Sequence, residues 1–403
     1  MMSGKRILLG VTGSIAAYKA VEVLRRLQER GAEVRVVMTR NACRFVSKLT
    51  FEALSGFPVL SDEYDPHEQR EPIGHINVTS GLDLALIAPA TANIIGKIAA
   101  GIADDALTSA LMALDCPLMI APAMNDRMYQ NAVLRRNVAS LRDLGVRFIE
   151  PGEGKLACGT IGQGRLAETG RIIDAVSASF LPRDFAGVTV LVTAGPTREP
   201  IDAVRFISNP STGKMGYALA RVARDRGAKV ILISGPTALT PPGGITFIPV
   251  TSAADLHRAV MEQIGEAQVV VMAAAVSDFR PAAVSDRKIK KEAAPATLEL
   301  VRTADILQQL GDMPRKCLLV GFAAETDNVL ENASRKLRAK NLDMVVVNDL
   351  LTVGAGFGSD TNVVTIIDRT GMTTRLPLMD KADVAARVLD KVLELKEKSG
   401  NLP

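Results

Sequence analysis

One strand–turn–helix–strand pattern occurs twice in this chain of 403 residues. The first copy starts with the apolar run at Lys5 and the second with the run at Val188. Both end in Arg-Gly-Ala followed by another apolar run, at Arg30 and at Arg226. A short apolar strand, a Gly-containing turn and an amphipathic helix are typical of the units of a parallel α/β sheet. The repeat therefore predicts an α/β fold with two Rossmann-like domains, each built on a mainly parallel sheet.

The two copies differ in the loop between the first strand and the first helix. The strands are offset by 183 residues and the Arg-Gly-Ala sequences by 196, so the second copy has 13 additional residues, 197–209. Ligands of open α/β sheets bind where such loops leave the carboxyl ends of the strands. The insertion is therefore predicted to form part of a binding site.

The length of the chain predicts more than one hydrophobic core. We expect domains at 1–182 and 188–403, joined by a linker, 183–187, that Pro182 and Gly187 delimit. No apolar run reaches the ~18–20 uncharged residues that a membrane span needs. The first strand begins at residue 5, which leaves no room for a signal peptide. Four scattered cysteines without metal-ligand spacing favour reduced thiols and a cytoplasmic location.

Charge and aromatic content argue against nucleic acid as the main partner. The net charge is only +4, aromatic residues make up 4% of the chain, and Trp is absent. Nucleic-acid-binding proteins need a strongly basic surface, and single-strand binders need stacking aromatics as well. Small phosphate-bearing ligands fit this composition better.

The first turn, Gly10 to Ser14, joins a strand to a helix that Ser14 is expected to cap. Backbone N–H groups at such a helix start bind anions. The turn lacks G-x-G-x-x-G, so a mononucleotide phosphate is favoured over a dinucleotide, and a plain turn without a ligand stays an alternative. Thr39 ends the second strand where dinucleotide-binding folds place an acidic residue. Both features disfavour a second hypothesis, an NAD(P)-dependent oxidoreductase.

Three further stretches of the first half contain candidate site residues. His75 follows a Gly and could act as a general base, although a structural role is the alternative. Pro122-Ala-Met-Asn125 ends a strand, where Met124 allows close approach of a flat ligand and Asn125 offers an amide. Cys158 lies in the Gly-rich stretch 150–165, which predicts a substrate-covering flap, unless Cys158 is merely a small buried side chain.

Residues 1–180 resemble the flavin-dependent phosphopantothenoylcysteine decarboxylases. The resemblance rests on His75, on Pro122-Ala-Met-Asn125 and on Ala157-Cys-Gly-x-x-Gly-x-Gly164, which occur in this order. It implies His75 as base, Asn125 as ligand of the substrate carboxylate and Cys158 as the final proton donor. It also implies FMN bound by two groups of residues: Gly13, Ser14, Ile15 and Thr39, then Thr91, Ala92 and Asn93.

The chemistry of such a decarboxylase explains why a flavin is needed. Loss of CO2 from a cysteine carboxylate would leave a carbanion with nothing to delocalise it. Oxidation of the thiol to a thioaldehyde first lets the charge move onto sulfur as an enethiolate, and the reduced flavin then returns the electrons.

The second half contains polar candidates at its loops and strand ends. Asn209 precedes a Pro and is held extended with its amide projecting, and Ser211 or Thr212 is expected to cap the next helix. The Thr-Gly-Lys there lacks the rest of a Walker motif, so a Walker ATPase is disfavoured. Asp278 ends a strand and suits Mg²⁺ or ribose. The run from Lys288 favours triphosphate binding over an ordinary solvated surface.

Residues 190–350 resemble the phosphopantothenate–cysteine ligases. The matching motifs are Ala194-Gly-Pro-Thr, Asn209-Pro-Ser-Thr-Gly-x-x-Gly216, Ala273-Ala-Ala-Val-Ser-Asp278, Lys288-Ile-Lys-Lys and Gly321-Phe-Ala-Ala-Glu-Thr. The resemblance implies CTP with Mg²⁺, and Asp278 as the metal ligand. It implies that CTP is held by Met272, Ala273, Ala274, Asp278, Lys288, Ala304, Asp305, Ile306, Leu307, Phe322, Lys336 and Lys340.

The same resemblance assigns roles in catalysis. Asn209 would steady an acyl-cytidylate, and Lys288 would offset charge as pyrophosphate leaves. Arg205 is a candidate anchor for the substrate phosphate or carboxylate. Ala304 is a departure, because the family often has Pro at that position, and a small effect on loop rigidity is expected.

Fusion of these halves is typical of bacterial bifunctional enzymes of coenzyme A synthesis. The implied substrates are 4′-phosphopantothenate, cysteine and CTP. The implied assembly is a homo-oligomer, a dodecamer built from decarboxylase trimers and ligase dimers. A third hypothesis, a non-catalytic flavoprotein or regulatory subunit of the same family, is disfavoured because His75 and Cys158 are both present.

Overall fold

The computed structural model describes residues 2–62, 74–155, 161–290, 297–325, 329–349, 356 and 358–399. The chain forms two compact units, Met1–Leu181 and Pro182–Pro403. The segment predicted as a linker lies in the second unit: Arg183 and Asp184 are exposed, but the side chain of Phe185 is fully buried. None of the described helices is long and apolar enough to cross a membrane.

The first unit alternates strands and helices. Its strands are β1 (Arg6–Val11), β2 (Glu33–Met38), β3 (Leu84–Ala90), β4 (Leu118–Pro122), β5 (Arg147–Phe148), β6 (Gly152–Lys155) and β7 (Ile161–Arg165). Its α-helices are α1 (Ala17–Glu29), α2 (Lys48–Ser55), α3 (Gly74–Thr79), α4 (Ala92–Ala99), α5 (Ala106–Met112), α6 (Asp126–Tyr129), α7 (Ala132–Asp143) and α8 (Thr169–Ser179).

The main sheet of this unit has the order β2-β1-β3-β4-β5 and is parallel throughout. Successive residues of β1 enter different cores, because Ile7 and Leu9 pack with α1 and Leu8 packs on the opposite face. Parallel sheets covered on both faces require such apolar strands. In this order the chain reverses direction along the sheet between β1 and β3, which is where open α/β sheets bind ligands.

The second unit has more strands. They are β8 (Thr189–Ala194), β9 (Arg198–Pro200), β10 (Phe206–Ser208), β11 (Lys229–Ser234), β12 (Thr246–Pro249), β13 (Val269–Met272), β14 (Phe279–Pro281), β15 (Leu300–Arg302), β16 (Leu318–Glu325), β17 (Met344–Asp349), β18 (Thr361–Asp368) and β19 (Thr373–Asp380). Its α-helices are α9 (Lys214–Asp225), α10 (Ala253–Gln263), α11 (Ile306–Asp312), α12 (Val329–Ala339) and α13 (Lys381–Ser399).

The main sheet of the second unit has the order β12-β11-β8-β13-β16-β17-β18-β19. The first six strands are parallel, and the hairpin of β18 and β19 extends the sheet in antiparallel fashion. Numbered along the chain, the parallel part has the 3-2-1-4-5-6 order of a doubly wound fold, with its switch point between β8 and β13. The predicted α/β class with mainly parallel sheets is confirmed.

The internal repeat is confirmed as well. The copies are β1-α1-β2 and β8-α9-β11, and each Arg-Gly-Ala marks the end of its helix. Gly31 and Gly227 have φ angles of +86° and +94°, a left-handed conformation that glycine adopts without strain. The following Ala residues donate their N–H groups to Leu27 and Ala223 and so satisfy carbonyls at the helix ends.

Two predicted helix caps are wrong. Helix α1 begins at Ala17, and Ser14 lies in the preceding turn, where its Oγ accepts a hydrogen bond from the N–H of Ala16. Helix α9 follows Gly213, whose φ of +79° places a left-handed residue at the position predicted for Ser211 or Thr212. In both loops the chain makes one further turn before the helix starts. The Ser or Thr predicted to cap the helix therefore lies before its first turn.

The inserted loop and the predicted flap each contain a short antiparallel ribbon. The insertion 197–209 contains β9 and β10, which pair with each other, and the Gly-rich stretch contains β6 and β7. A third ribbon, β14 with β15, follows Asp278.

Candidate functional site

The first candidate site is a cavity of about 650 Å³ at the switch point of the first sheet. Of the seven residues predicted to bind a cofactor, five line it: Gly13, Thr39, Thr91, Ala92 and Asn93. Ser14 and Ile15 lie outside its lining, and Ile15 is exposed.

Thr12 connects the two loops that border this cavity. Its Oγ1 donates to the carbonyl of Pro89 at 2.7 Å and accepts from the N–H of Thr91 at 3.1 Å. The Thr91 hydroxyl in turn accepts from the N–H of Ile94 and caps α4. The loops after β1 and β3 are therefore held together at the start of α4.

The cavity fits the phosphate end of a nucleotide. A Cβ added to Gly13 would lie 2.5 Å from the Cβ of Asn41, so only glycine lets the two loops approach this closely. First-turn N–H groups such as those of Ala92 and Asn93 have no acceptor within their own helix and can bind an anion. The residues present are therefore compatible with a bound phosphate.

An ion cluster that sequence reasoning missed lies on the wall of this cavity. The ammonium of Lys97 contacts Asp104 at 2.5 Å and Asp105 at 2.8 Å. Burial disfavours the charge of Lys97, but these two hydrogen bonds outweigh burial and raise the pKa of its ammonium. Asp105 also caps α5 through the N–H of Thr108. The Gly-Ile-Ala-Asp-Asp sequence after α4 was a usable signal, because a Gly followed by two carboxylates indicates a cap.

Met124 and Asn125 lie beside β7, the second strand of the β6–β7 ribbon. The N–H of Met124 donates to the carbonyl of Gly164 at 2.9 Å. Asn125 is half-buried and caps the short helix α6, with its Oδ1 accepting from the N–H of Arg127. His75 lies in α3, but its side chain and all of Cys158 are outside the described residues.

A second cluster of polar side chains, also not predicted, connects α6 to the residues just before the β6–β7 ribbon. Tyr129 donates to Glu150 Oε2 at 2.8 Å, and Arg142 contacts the other carboxylate oxygen of Glu150. Burial and the hydrogen bond to Glu150 raise the pKa of Tyr129 to about 12, so the hydroxyl stays a donor at neutral pH.

The second candidate site is a cavity of about 460 Å³ beside the carboxyl ends of β13 and β16. It is lined by ten of the twelve residues predicted to bind nucleotide: Met272, Ala274, Asp278, Ala304, Asp305, Ile306, Leu307, Phe322, Lys336 and Lys340. Ala273 and Lys288 are outside the lining, and Lys288 is exposed. Val276, Phe279, Arg302 and Thr303 line it without having been predicted.

Two lysines of this cavity have protein partners. Lys340 contacts Asp305, with a shortest distance of 2.7 Å, and Lys336 donates to the carbonyl of Phe322 at 2.9 Å. Burial opposes the charge of Asp305, but its hydrogen bonds with Lys340 and the N–H of Gln308 lower the pKa of its carboxyl group. Asp305 also caps α11.

Asp202 organises the inserted hairpin. Its Oδ1 accepts from the N–H groups of Val204 and Arg205, both at 2.8 Å. Its Oδ2 accepts from the N–H of Ile289 at 3.2 Å and pairs with the Arg205 guanidinium at 2.8 Å. Despite burial, these contacts lower the pKa of Asp202 to about 2. The insertion thus holds the segment that carries Lys288, and Arg205 faces this carboxylate and the Ile289 carbonyl.

Asn209 connects the insertion to the strand end that carries Asp278. Its Nδ2 donates to the carbonyls of Ala275 at 3.1 Å and Val276 at 3.2 Å. The hydroxyl of Thr197, at the other end of the insertion, accepts from the N–H of Ser277. Both ends of the insertion are therefore bonded to the 275–277 segment.

Glycines let α9 and the neighbouring loops approach β8. A Cβ on Gly216 would lie 2.5 Å from the Cβ of Ala194, and one on Gly235 would lie 1.8 Å from the carbonyl oxygen of Pro196. Lys214, the lysine of the Walker-like Thr-Gly-Lys, pairs with Asp360 and donates to the Gly358 carbonyl. Its ammonium is therefore held by a loop of the protein.

Metal binding would depend on few protein ligands. Within the described ranges no three His, Cys, Asp or Glu residues form a group that could hold a metal ion. Two carboxylates of the described residues line the second cavity, those of Asp278 and Asp305, and Lys340 is paired with Asp305. A magnesium ion there would take most of its ligands from a nucleotide and water, as Mg²⁺ commonly does.

Comparison with known proteins identifies both halves. Residues 1–181 match the Flavoprotein family, and residues 185–395 match the DNA/pantothenate metabolism flavoprotein C-terminal domain. These matches, to families of flavoproteins, further disfavour the nicotinamide oxidoreductase hypothesis.

Curated relatives cover nearly the whole chain. The Coenzyme A biosynthesis bifunctional protein CoaBC of Bacillus subtilis (strain 168) is 49% identical, with 99% of each chain covered. The protein of the same name from Escherichia coli (strain K12) is 40% identical, with 97% of each covered.

Solved structures match one half each. The C-terminal domain of a CoaBC protein is 46% identical and covers 53% of this chain and 98% of its own, with a TM-score of 0.47. A PPC decarboxylase mutant complexed with pantothenoylaminoethenethiol is 35% identical and covers 44% of this chain and 98% of its own, with a TM-score of 0.40.

The Bacillus subtilis and Escherichia coli relatives match this chain through both halves, at 49% and 40% identity. The chain therefore belongs to the family of bifunctional coenzyme A biosynthesis enzymes, with a flavoprotein domain of the decarboxylase type followed by a domain of the ligase type.

Proposed function

We propose that the second half joins 4′-phosphopantothenate to cysteine with CTP and Mg²⁺, and that the first half converts the product to 4′-phosphopantetheine and CO2 with FMN. The observation that carries the ligase assignment is the second cavity, which ten of the twelve predicted nucleotide residues line. For the decarboxylase, support comes from the cavity at the first switch point, whose lining suits a flavin phosphate. The proposed setting is the cytoplasm.

In the first half, FMN when bound would accept two electrons from the substrate thiol and later return them. The backbone N–H groups of Gly13, in the loop after β1, and of Ala92 and Asn93, at the start of α4, would hold its phosphate. Thr91 would fix the start of this helix through its bonds with Thr12 and Ile94. Asn125 would orient the substrate carboxylate from the start of α6, where the hydrogen bond from the N–H of Arg127 fixes its Oδ1. His75 and Cys158 keep their proposed roles as base and as final proton donor.

In the second half, the nucleotide would lie along the Ala304–Leu307 turn between Asp278 and Lys340. Amide formation requires an activated carboxylate, and transfer to the α-phosphate with loss of pyrophosphate provides one. Lys288 would neutralise the leaving pyrophosphate, because the Asp202 contacts hold its segment beside the insertion. Asn209 would steady the acyl-cytidylate, and Arg205 stays a proposed anchor of the substrate.

We also propose a homo-oligomer, a dodecamer built from decarboxylase trimers and ligase dimers. In the first unit Ile15, Tyr18, Phe45 and Leu49 expose more than half of their surface, which supports association of this domain. Native mass spectrometry of the full chain tests the assembly: a monomer at micromolar concentration would contradict it.

The activity test uses purified full-length protein. We expect a yellow protein with one noncovalent FMN per chain. Pyrophosphate release should require CTP and 4′-phosphopantothenate, and should continue beyond the first turnover only when cysteine is also present. A colourless protein that cannot be reconstituted with FMN would exclude the first proposed activity. Pyrophosphate released equally well with ATP would exclude the choice of CTP.

Variants separate the two chemistries. His75→Asn should abolish CO2 release from 4′-phosphopantothenoylcysteine while pyrophosphate release continues. Asn209→Ala should do the reverse. Loss of both activities in either variant would indicate a folding defect, and circular dichroism of the variants distinguishes that outcome.

A further inference from the structure

Arg302 carries a charge in the nucleotide cavity that has no assigned role. Among the described residues, five charged side chains line the cavity: Asp278, Asp305, Arg302, Lys336 and Lys340. Lys340 is paired with Asp305, and Lys336 donates to the Phe322 carbonyl. In the described part of the chain no hydrogen bond or ion pair engages the guanidinium of Arg302. Arg302 is therefore the cavity cation that is left for a ligand.

The β14–β15 ribbon fixes the position of Arg302. Arg302 pairs directly with Phe279, and Arg280 pairs with Val301. Directly opposed residues of an antiparallel pair project on the same face, and their neighbours project on the other. Phe279 and Arg302 both line the cavity, whereas Arg280 does not.

The next residue anchors the ribbon beside Asp278. The N–H of Thr303 donates to the Asp278 carbonyl at 2.9 Å, and its hydroxyl donates to the Ser277 carbonyl at 2.6 Å. The backbone next to Arg302 is thus bonded to the backbone of Asp278, the residue proposed to bind Mg²⁺. Mg²⁺ in nucleotide sites is commonly bound by one or two carboxylates together with the substrate phosphates. A nucleotide whose metal was held by Asp278 would therefore present its phosphate chain to this side of the cavity.

We propose that Arg302 binds the phosphate chain of the nucleotide, as a cation additional to Lys288. A guanidinium matches phosphate geometry with two parallel N–H donors, which a lysine ammonium cannot reproduce. This proposal rests on the proposed ligase function and adds a residue to it.

The test compares binding of CTP, CDP and CMP to the full-length protein by calorimetry, with Mg²⁺ and without other substrates. For Arg302→Gln we expect CTP affinity to fall about 10–100-fold, the effect of losing charge-assisted hydrogen bonds, and CMP affinity to fall less than about threefold. The CTP affinity of Arg302→Lys should lie between that of Arg302→Gln and that of the native protein. The matched control is Arg280→Gln, on the opposite face of the same ribbon, which should leave the CTP-to-CMP affinity ratio unchanged.

The outcomes are distinct. Equal weakening of CTP and CMP, or unchanged CTP binding in Arg302→Gln, would overturn the role of Arg302 while leaving the ligase proposal intact. Native protein that binds no CTP would overturn the ligase proposal and this one with it. If Arg302→Gln fails to fold, Arg302→Met decides, because it keeps an apolar stem and removes the charge: an unchanged CTP-to-CMP affinity ratio in that variant contradicts the phosphate contact.

Discussion

Gly164 lies where the β6–β7 ribbon contacts the Pro-Ala-Met-Asn segment: its carbonyl accepts from the N–H of Met124 at 2.9 Å. Its φ is +154°, and a Cβ there would lie 2.3 Å from the carbonyl oxygen of Met124. We expect Gly164→Ala to destabilise the first unit by about 2 kcal/mol or more, through backbone strain and overpacking. The FMN content of the purified variant should fall as well. Thermal unfolding curves measure the stability, and flavin absorbance measures the FMN content.

The control is Gly152→Ala in the same ribbon. A Cβ at Gly152 would meet no atom closer than 4.0 Å, so this variant should unfold at nearly the native temperature. Equal destabilisation by both substitutions would mean that the ribbon is intolerant of any side chain, and that the contact with Met124 is not the cause.

The hydrogen bonds that Asp202 accepts in the inserted hairpin should depend on pH. Its pKa is lowered to about 2 by backbone N–H groups and Arg205 against the effect of burial. A lowered carboxyl pKa stabilises the fold above the unfolded-state value of ~3.9 and loses that contribution as pH falls through the folded value. The hairpin contacts should therefore persist at pH 4 and be lost near pH 2, observed as amide exchange of Val204, Arg205 and Ile289.

Asp202→Asn tests the same cluster at neutral pH. An Asn amide cannot accept at both positions, so either the hairpin N–H groups or Ile289 would lose an acceptor. We expect ligase turnover to fall at least about tenfold with the decarboxylase rate unchanged, measured in separate assays. An unchanged ligase rate would show that the Asp202 contacts do not position the Lys288 segment.

The structural roles of individual site residues were the hardest feature to predict from the sequence. Ser14 and Thr212 have capping side chains, but backbone φ and ψ decide where a helix starts, and each loop has one more turn than its sequence suggests. Asn125 was chosen for its amide chemistry, yet in the structure it is also the cap of α6. Side-chain chemistry identifies a candidate residue, whereas its contacts follow from the surrounding loops.

At the scale of elements, the Tyr129–Glu150 hydrogen bond connects α6 with the start of the β6–β7 ribbon. Removing the hydroxyl with Tyr129→Phe should cost about 1 kcal/mol and leave Glu150 with Arg142 alone. Because the raised pKa of Tyr129 is about 12, against 10 for a free Tyr, the native contact should hold fully below pH 10 and weaken towards pH 12.

Hydrogen exchange of the two strands measures this effect. Residues 152–154 and 162–165 should exchange faster in Tyr129→Phe, with the strands of the main sheet unaffected. Tyr18→Phe is a suitable control, since Tyr18 is exposed on α1 in the same unit. Faster exchange throughout the unit would instead indicate general destabilisation.

Long elements were predictable from periodicity, and short strands were not. Strands β1, β3 and β8 are continuous apolar runs, and helices such as α1 and α9 have one apolar face, so their sequences contain the signal. Strands β9, β10, β14 and β15 have three residues each. Three residues are too few for alternation to be recognised, and their pairing depends on contacts such as those of Asp202.

At the scale of the whole molecule, the repeat predicted two α/β units and the positions of their binding loops. It did not predict strand order, because sequence fixes which strands are consecutive and not where each joins the sheet. The two halves start with the same β-α-β unit and then place the third strand differently: β3 lies beside β1, whereas β12 lies beside β11. In both sheets the chain nevertheless reverses next to the first strand, so the site follows the first loop.

The boundary between the two units gives the last prediction. Phe185 is fully buried, the Arg226 guanidinium lies 5.0 Å from the centre of its ring, and Asp184 pairs with Arg226 at 2.6 Å. Arg226 exposes only 3% of its side chain, and its other carboxylate partner is Asp390 in α13. The segment 183–187 thus supplies both an apolar side chain and a counter-charge to the second unit.

Fragments 182–403 and 188–403 should therefore differ in stability. Loss of Phe185 removes about 2–3 kcal/mol of burial, and loss of Asp184 leaves a buried guanidinium with one partner fewer. We expect the shorter fragment to unfold at least about 3 kcal/mol more easily in urea. Asp184→Asn in the longer fragment isolates the charge, and Phe185→Ala isolates the burial. If 188–403 is as stable as 182–403, then 183–187 is a linker and the second unit begins at its first strand.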